Sequence, residues 1–149
     1  MCEKTMALMI GIQGSGKSTF CQEHLSSFCR INLDTLKTRH QEQLAIDECF
    51  KCGKNFVIDN TNPTIEERKK YILQAKKEGY KIIGYFLESK IKDCIERNNR
   101  RVGKACIPAK AIAATSNRLQ LPSYDEGFDK LYFVKNNGLD MVIGDWRKK

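Results

Sequence analysis

An α/β fold, with a parallel sheet and helices on both faces, is what this sequence predicts, and three observations carry the prediction. Short apolar runs alternate with stretches of helical character from end to end. A glycine-rich turn joins the first apolar run to the first helix, and Gly or Pro punctuates several later junctions. The chain has 149 residues, of which 41% are hydrophobic and 30% charged, enough apolar material for one buried core.

The elements follow in order. TMALMI (5–10) is a buried strand, and after the glycine-rich turn a helix runs from Lys17 to about Ser27. A short strand is expected at Cys29–Asn32, then one long helix from Thr35 to Cys52, stopped by Gly53. NFVID (55–59) is the next strand. Thr64 is placed to cap the following helix, with Glu67 completing a capping-box pattern, and Gly79 ends it. YKIIGYFL (80–87) is a strand, Ser89–Arg97 a helix, and a further helix starts near Pro108, a residue suited to a first helical turn. Asp129–Val134 is the last expected strand. No repeat or linker interrupts this pattern, so residues 1–149 read as one domain.

Several classes are excluded at this stage. No apolar stretch reaches the roughly 18 residues of a membrane span. MCEKTMALMIGIQGSGKS lacks the layout of a signal peptide, and seven cysteines suggest reduced thiols, so a cytoplasmic location is expected. Cys49 and Cys52 form one CxxC without the second ligand pair that a structural zinc requires; three residues apart on a helix they simply share a face. His24 and His40 likewise have no spaced metal partners. Trp146, Phe128 and Tyr132 fit core closure around the last strand better than base stacking.

The chemistry begins at Gly11-Ile12-Gln13-Gly14-Ser15-Gly16-Lys17-Ser18, which fits G-x-x-x-x-G-K-[ST] at every fixed position. Average residue usage produces that match at roughly 3 in 100,000 starting points. Here it also lies between a strand and a helix, as the mechanism requires. Glycines let successive N–H groups face phosphate oxygens, and the helix start adds positive potential. Lys17 should reach the β- and γ-phosphates of ATP, and the Ser18 hydroxyl should ligate magnesium. A domain of this size has no room for the accessory parts of a motor or helicase, and suits a kinase passing a γ-phosphate to a hydroxyl.

Such an enzyme needs a base, a metal carboxylate and a cationic clamp. Asp34 lies just past the second strand, where a carboxylate can take the hydroxyl proton; as an N-cap for the helix at Thr35 it fits equally well. Asp59 ends the third strand, as a carboxylate holding a magnesium-bound water would, although D-N-T-N-P is also rich in turn formers. Of the net charge of +8, a large part is concentrated: between Arg97 and Arg118 there are Arg97, Arg100, Arg101, Lys104, Lys110 and Arg118, with no Asp or Glu. Arginines over a nucleotide stabilise the charge on the transferring group, and Gly103 offers a hinge, so this stretch reads as a lid or as a solvated basic face.

GIQGSGKST, INLDTLKTR, VIDNTNPTIEERKKYI, RNNRRVGKACIP and RLQLPSYDEGFDKLYFV together resemble the kinase domain of polynucleotide 5′-hydroxyl kinases, within a wider zeta-toxin-like group of ATP-dependent kinases. The resemblance implies a P-loop kinase fold with a basic lid at about 97–107. It implies ATP and Mg2+ as cofactors and the 5′-OH end of RNA or DNA as acceptor. It assigns Gly11, Gln13, Gly14, Ser15, Gly16, Lys17, Ser18 and Thr19 to the nucleotide, joined by Arg97 and Arg101, the latter catalytic. Asp34 becomes the general base, Ser18 and Asp59 the metal residues, and Lys37, Arg39, Thr61 and Arg68 the acceptor side. Where the family often has arginine three residues after the base, this chain has Lys37, which keeps the charge but loses the bidentate grip. Two alternatives stand beside this reading. One is a kinase of a small hydroxyl substrate such as a nucleoside, sugar or antibiotic. The other is a nucleotide-dependent nucleic-acid-binding module without transfer activity, which the joint presence of Lys17, Ser18 and Asp34 disfavours.

Overall fold

The computed structural model describes residues 4–88, 91–99, 108–136 and 141–146, with Asp34 and Ile91 described for their backbone alone. In chain order the elements are β1 (Thr5–Ile10), α1 (Lys17–His24), β2 (Cys29–Ile31), α2 (Leu33–Leu36), α3 (Arg39–Cys52), β3 (Phe56–Ile58), α4 (Ile65–Lys77), β4 (Lys81–Leu87), α5 (Ile91–Asn99), α6 (Ala109–Arg118), a 3-10 turn at Tyr124–Glu126, β5 (Lys130–Asn136) and β6 (Met141–Asp145).

Six strands form one sheet in the order β2-β3-β1-β4-β5-β6, parallel throughout except for β6. β1 lies inside it, Met6–Leu8 opposite Phe56–Ile58 and Thr5–Ile10 opposite Lys81–Phe86. Every residue of β1 is buried, and the strand's two-residue period sends side chains to both sides. Met6, Leu8 and Ile10 join Ile46 and Cys49 of α3 and Tyr71, Ile72 and Ala75 of α4 in one cluster. Ala7 and Met9 join Phe20, Cys21 and Leu25, from α1 and the residue after it, in another. The sequence-derived α/β class, with helices on both faces, is the observed one. Cys49 is thus a core residue while Cys52 is exposed, and no metal-capable cluster of His, Cys, Asp or Glu occurs among the described residues. Nor is any described helix long and apolar enough to cross a membrane.

Three expectations are corrected. The long helix expected from Thr35 is two helices, because Lys37 turns left-handed (φ 69°) and Thr38 restarts the chain as a cap, accepting the Gln41 N–H at 3.1 Å. Asp34 is not the cap of α2; Asn32 is, its side chain accepting the Thr35 N–H at 3.1 Å. Val134 does not close the sheet: β6 adds antiparallel to β5, with Tyr132 opposite Asp145. It escapes an apolar-run search because four of its five residues are exposed, so its place rests on backbone pairing. Trp146 then folds back on Phe86 and Phe133, which, with Phe128 buried, is the core-closing role expected of it, while Tyr132 stacks instead on Tyr85.

α4 is fixed by a charge inside the protein. Arg68 is fully buried, its Nε donating to Glu126 Oε1 at 2.8 Å and its Nη2 to Oε2 at 3.2 Å. Glu126 Oε2 also accepts the Ser123 N–H in a complete capping box, so the acid is locked in place. At Thr64 the cap is only half formed: Glu67 N–H donates to Thr64 Oγ1, and the Glu67 carboxylate pairs with Arg118 at 2.6 Å. Removing one partner of a buried pair strands the other charge, at about 3–5 kcal/mol. Glu126→Ala is therefore expected to lose about 3 kcal/mol or more in urea unfolding, and a loss within about 0.5 kcal/mol, typical of a surface change, would contradict the buried-pair account.

Candidate active site

The glycine-rich loop leaves the end of β1 and is fastened on its carbonyl side. Arg97 Nη1 donates to Gly14 O at 3.1 Å, and Asn136 Nδ2 donates to Ser15 O at 3.2 Å. Arg97 Nη2 reaches Asn136 O at 3.4 Å, so α5 and β5 brace the loop jointly. Gly14 and Gly16 have φ of 80° and 99°, a region that L side chains avoid. A Cβ on Gly14 would also occupy the place of the Cys94 carbonyl. Gly16 caps α1, and Lys17 Nζ donates to Ile12 O at 2.9 Å. The first N–H groups of α1 are those an α-helix cannot satisfy internally, and they favour an anion. Gln13 Nε2 bonds Thr115 Oγ1 at 3.1 Å, tying the loop to α6, while Gln13 Oε1 and Ser15 Oγ are buried without a hydrogen-bond partner. Thr19 lies on the exposed side of α1.

The segment after β3, Asp59-Asn60-Thr61-Asn62, reaches that loop through Asp59 and Thr61 and the end of β1 through Asn62. Asp59 is almost fully buried; its Oδ2 accepts Ser18 Oγ at 3.3 Å and Arg30 Nε at 2.6 Å. Thr61 O accepts the Gly11 N–H at 3.1 Å. Asn62 Nδ2 donates to Met9 O at 2.7 Å, and its own carbonyl is held by Arg68 Nη1 at 2.9 Å. Beneath this, burial and then the Asp59 carboxylate push the Cys21 thiol up to about 12.

The same segment also holds the β2–α2 turn. Asn32 Nδ2 donates to Asp59 O at 2.6 Å, and the Leu33 N–H donates to Asn60 Oδ1 at 2.9 Å. Asn60 Nδ2 in turn donates to Glu42 Oε2 at 2.8 Å. Glu42 is buried, and its Oε1 accepts Tyr71 Oη at 2.8 Å and Arg39 Nη1 at 3.3 Å, with Lys70 Nζ at 3.9 Å. Arg39 Nη1 also bonds Tyr71 Oη at 2.8 Å. Burial, reinforced by the bond to Glu42, raises the Tyr71 hydroxyl above its ordinary range; burial and neighbouring Arg39 lower the Lys70 ammonium. The backbone of Asp34 lies one residue beyond the Leu33 amide that Asn60 grips.

No family model matches the chain. It is 34% identical over 129 residues to a bifunctional polynucleotide phosphatase/kinase of Schizosaccharomyces pombe, covering 83% of this chain and 31% of that protein. A putative bifunctional polynucleotide phosphatase/kinase of Acanthamoeba polyphaga mimivirus is 31% identical over 140 residues, covering 89% of this chain and 33% of the other. The chain thus spans about a third of the length of the curated relatives it matches. Among solved structures, the Mycobacterium tuberculosis APS kinase with AMPPNP and APS superposes with a TM-score of 0.60 at 17% identity, covering 92% of this chain and 91% of that one. The chain has the P-loop kinase fold. Its sequence likeness is to the polynucleotide phosphatase/kinases.

In this P-loop kinase domain the expected residues fall into three groups. Gly11, Gly14, Ser15, Gly16, Lys17, Ser18 and Asp59 come together, and Asn60 joins them to the turn carrying Asp34. Lys37 and Arg39 stand exposed at the start of α3. Two assignments change, those of Arg68 and Arg97: Arg68, expected at the acceptor, is sealed between Glu126 and Asn62 O, while Thr61 only meets the phosphate loop through its backbone carbonyl. Arg97, expected on nucleotide phosphates, braces the loop from behind. Of the lid expected at about 97–107, residues 97–99 belong to α5, and residues 100–107, Arg101 among them, lie outside the described residues. The sequence reading missed Arg30, Asn32, Glu42, Tyr71 and Asn136. Glu42 carries a signal: it shares the i, i+4, i+7 stripe of Ile46 and Cys49, an acid on an apolar helix face.

Gly14→Ala combines the strained φ with a collision against backbone. It is expected to weaken binding of a fluorescent ADP about tenfold or more, equivalent to about 1.4 kcal/mol. Unchanged affinity in a folded variant would show that the loop yields without cost.

Proposed function

We propose that this domain is an ATP-dependent kinase that transfers the γ-phosphate to the 5′-hydroxyl end of RNA or DNA. The single observation that carries the reading is the shared Asp59–Asn62 segment, which ties the phosphate loop and the turn bearing Asp34 into one rigid unit. Phosphoryl transfer is chiefly a matter of positioning and electrostatics, so a scaffold that fixes nucleotide and base together serves it directly. Likeness to polynucleotide phosphatase/kinases over most of the chain supports the choice of acceptor.

The loop N–H groups and Lys17 hold the ATP phosphates. Ser18 Oγ and the buried Asp59 carboxylate, 3.3 Å apart, are an oxygen donor pair suited to magnesium, Asp59 acting through a bound water. When bound, magnesium neutralises charge on the phosphates. The acceptor hydroxyl attacks the γ-phosphorus, its proton passes to the Asp34 carboxylate, and the bond to the bridging oxygen breaks to release ADP. Lys37 and Arg39 receive the acceptor strand, with Arg39 oriented by Glu42 and Tyr71. Arg101 completes the cationic clamp from the lid. With its soluble-type composition and reduced thiols, the domain is assigned to the cytoplasm.

The test supplies γ-labelled ATP and magnesium to 5′-hydroxyl oligonucleotides, 5′-phosphorylated oligonucleotides, and a nucleoside and sugar panel. Label is expected on the 5′-hydroxyl oligonucleotides alone; label confined to the small molecules overturns the acceptor assignment. Asp34→Asn should keep ADP affinity and lose about 10²–10⁴ in turnover, the range of general base catalysis. Full activity in that variant removes Asp34 as the base.

A further inference from the structure

We infer that Arg30 is a tethered cation competing with magnesium for Ser18 and Asp59, and that it thereby sets how much free magnesium the nucleotide site requires. The inference rests on the magnesium reading of Ser18 and Asp59 given above. Arg30 Nε donates to Asp59 Oδ2 at 2.6 Å, and Arg30 Nη2 donates to Ser18 Oγ at 3.0 Å. One guanidinium thus bridges the two oxygens that would serve the metal. The Ser18 hydroxyl donates to Asp59 and accepts from Arg30, so one of its two lone pairs is already engaged by the arginine.

The two partners differ in freedom. Asp59 has 1% of its side chain exposed and cannot follow, whereas Arg30 has 41% exposed on β2, the strand at the sheet's edge. Displacement therefore moves the arginine outward and leaves the carboxylate where it was. A buried carboxylate needs a counter-charge at all times. Arg30 supplies one in the absence of the divalent ion, and a magnesium ion supplies another that repels the guanidinium at short range. With magnesium at Ser18 and its water beside Asp59, the metal crowds the guanidinium, so magnesium binding is expected to cost Arg30 at least its bond to Ser18 Oγ.

The measurement is the magnesium dependence of fluorescent ADP binding, which involves no transfer step. At fixed ADP, Arg30→Met is expected to lower the magnesium midpoint about tenfold, the scale of one charge-assisted hydrogen bond released from competition. Arg30→Lys, which keeps the charge but makes a single contact, should fall between it and the parent and serves if the methionine variant does not fold. Ser18→Ala and Asp59→Asn are run alongside and are expected to raise the midpoint or abolish the magnesium response. If these two shift the response while both Arg30 variants leave the midpoint unchanged or raise it, competition is overturned and the metal seat stands. If neither Ser18→Ala nor Asp59→Asn alters the response, the metal seat itself is overturned.

Discussion

A guanidinium enclosed in the protein interior must be neutralised and hydrogen-bonded, or the fold pays several kcal/mol for it. Arg68 meets that demand with two bonds to Glu126 and one to Asn62 O, and so joins three separate segments: α4, the 3-10 turn before β5, and the segment after β3. Asn62 sits at φ 44°, a left-handed conformation that a non-glycine residue keeps only when its surroundings determine it. Arg68 on its carbonyl and Met9 O on its side chain are those surroundings. From this one buried charge the position of the Asp59–Asn62 segment follows.

That segment is where the site is assembled. Asp59 faces Ser18 and Arg30, Asp59 O takes Asn32, Asn60 takes the Leu33 amide, and Thr61 O takes the Gly11 amide. Each of the four residues therefore contacts the phosphate loop, the end of β1, or the β2–α2 turn. Glu42 extends the same network to Arg39, since Asn60 and Arg39 share its carboxylate. A displacement of one ångström between reacting groups can cost two orders of magnitude in rate. Hydrogen bonds of this density, centred on buried acids, hold such tolerances better than packing alone.

How far the sequence revealed this depended on whether a signal was local. The phosphate loop was fully legible, because strand, glycines, lysine and serine are contiguous and their chemistry is self-contained. The position of Asp59 beside Ser18 was legible for a similar reason, since it directly follows an apolar strand. Arg68 was misassigned for want of a period count: with Tyr71, Ile72 and Ala75 it makes an i, i+3, i+4, i+7 stripe, which buries it. Asn32 against Asp34 as the cap was decided by where α2 begins, two residues earlier than its composition suggested. β6 was missed although Asn137-Gly138, a strong hairpin signal, precedes it, because an exposed edge strand has no apolar periodicity to detect. Arg30 had no local signal at all. Its partners are 12 and 29 residues away and meet it only when β2 and β3 pair.

The same contacts change what the net charge of +8 means. Polynucleotide affinity from charge alone comes from cations that give up their counterions to phosphates. Arg30, Arg68, Arg97 and Arg118 are each engaged inside the domain, with Asp59, Glu126, the Gly14 carbonyl and Glu67 respectively. Arg68 is sealed and Arg97 braces the phosphate loop, while Arg30 and Arg118 remain about half exposed with part of their charge already paired. A high positive charge therefore overstates the footprint this domain can offer a nucleic acid. On the polynucleotide reading proposed above, recognition of an acceptor strand would draw on exposed cations such as Lys37 and Arg39. Lys37 and Arg39 flank Thr38, where the left-handed break at Lys37 separates α2 from α3. Of the two, Arg39 is the one with a fixed orientation, because Glu42 and Tyr71 hold its guanidinium.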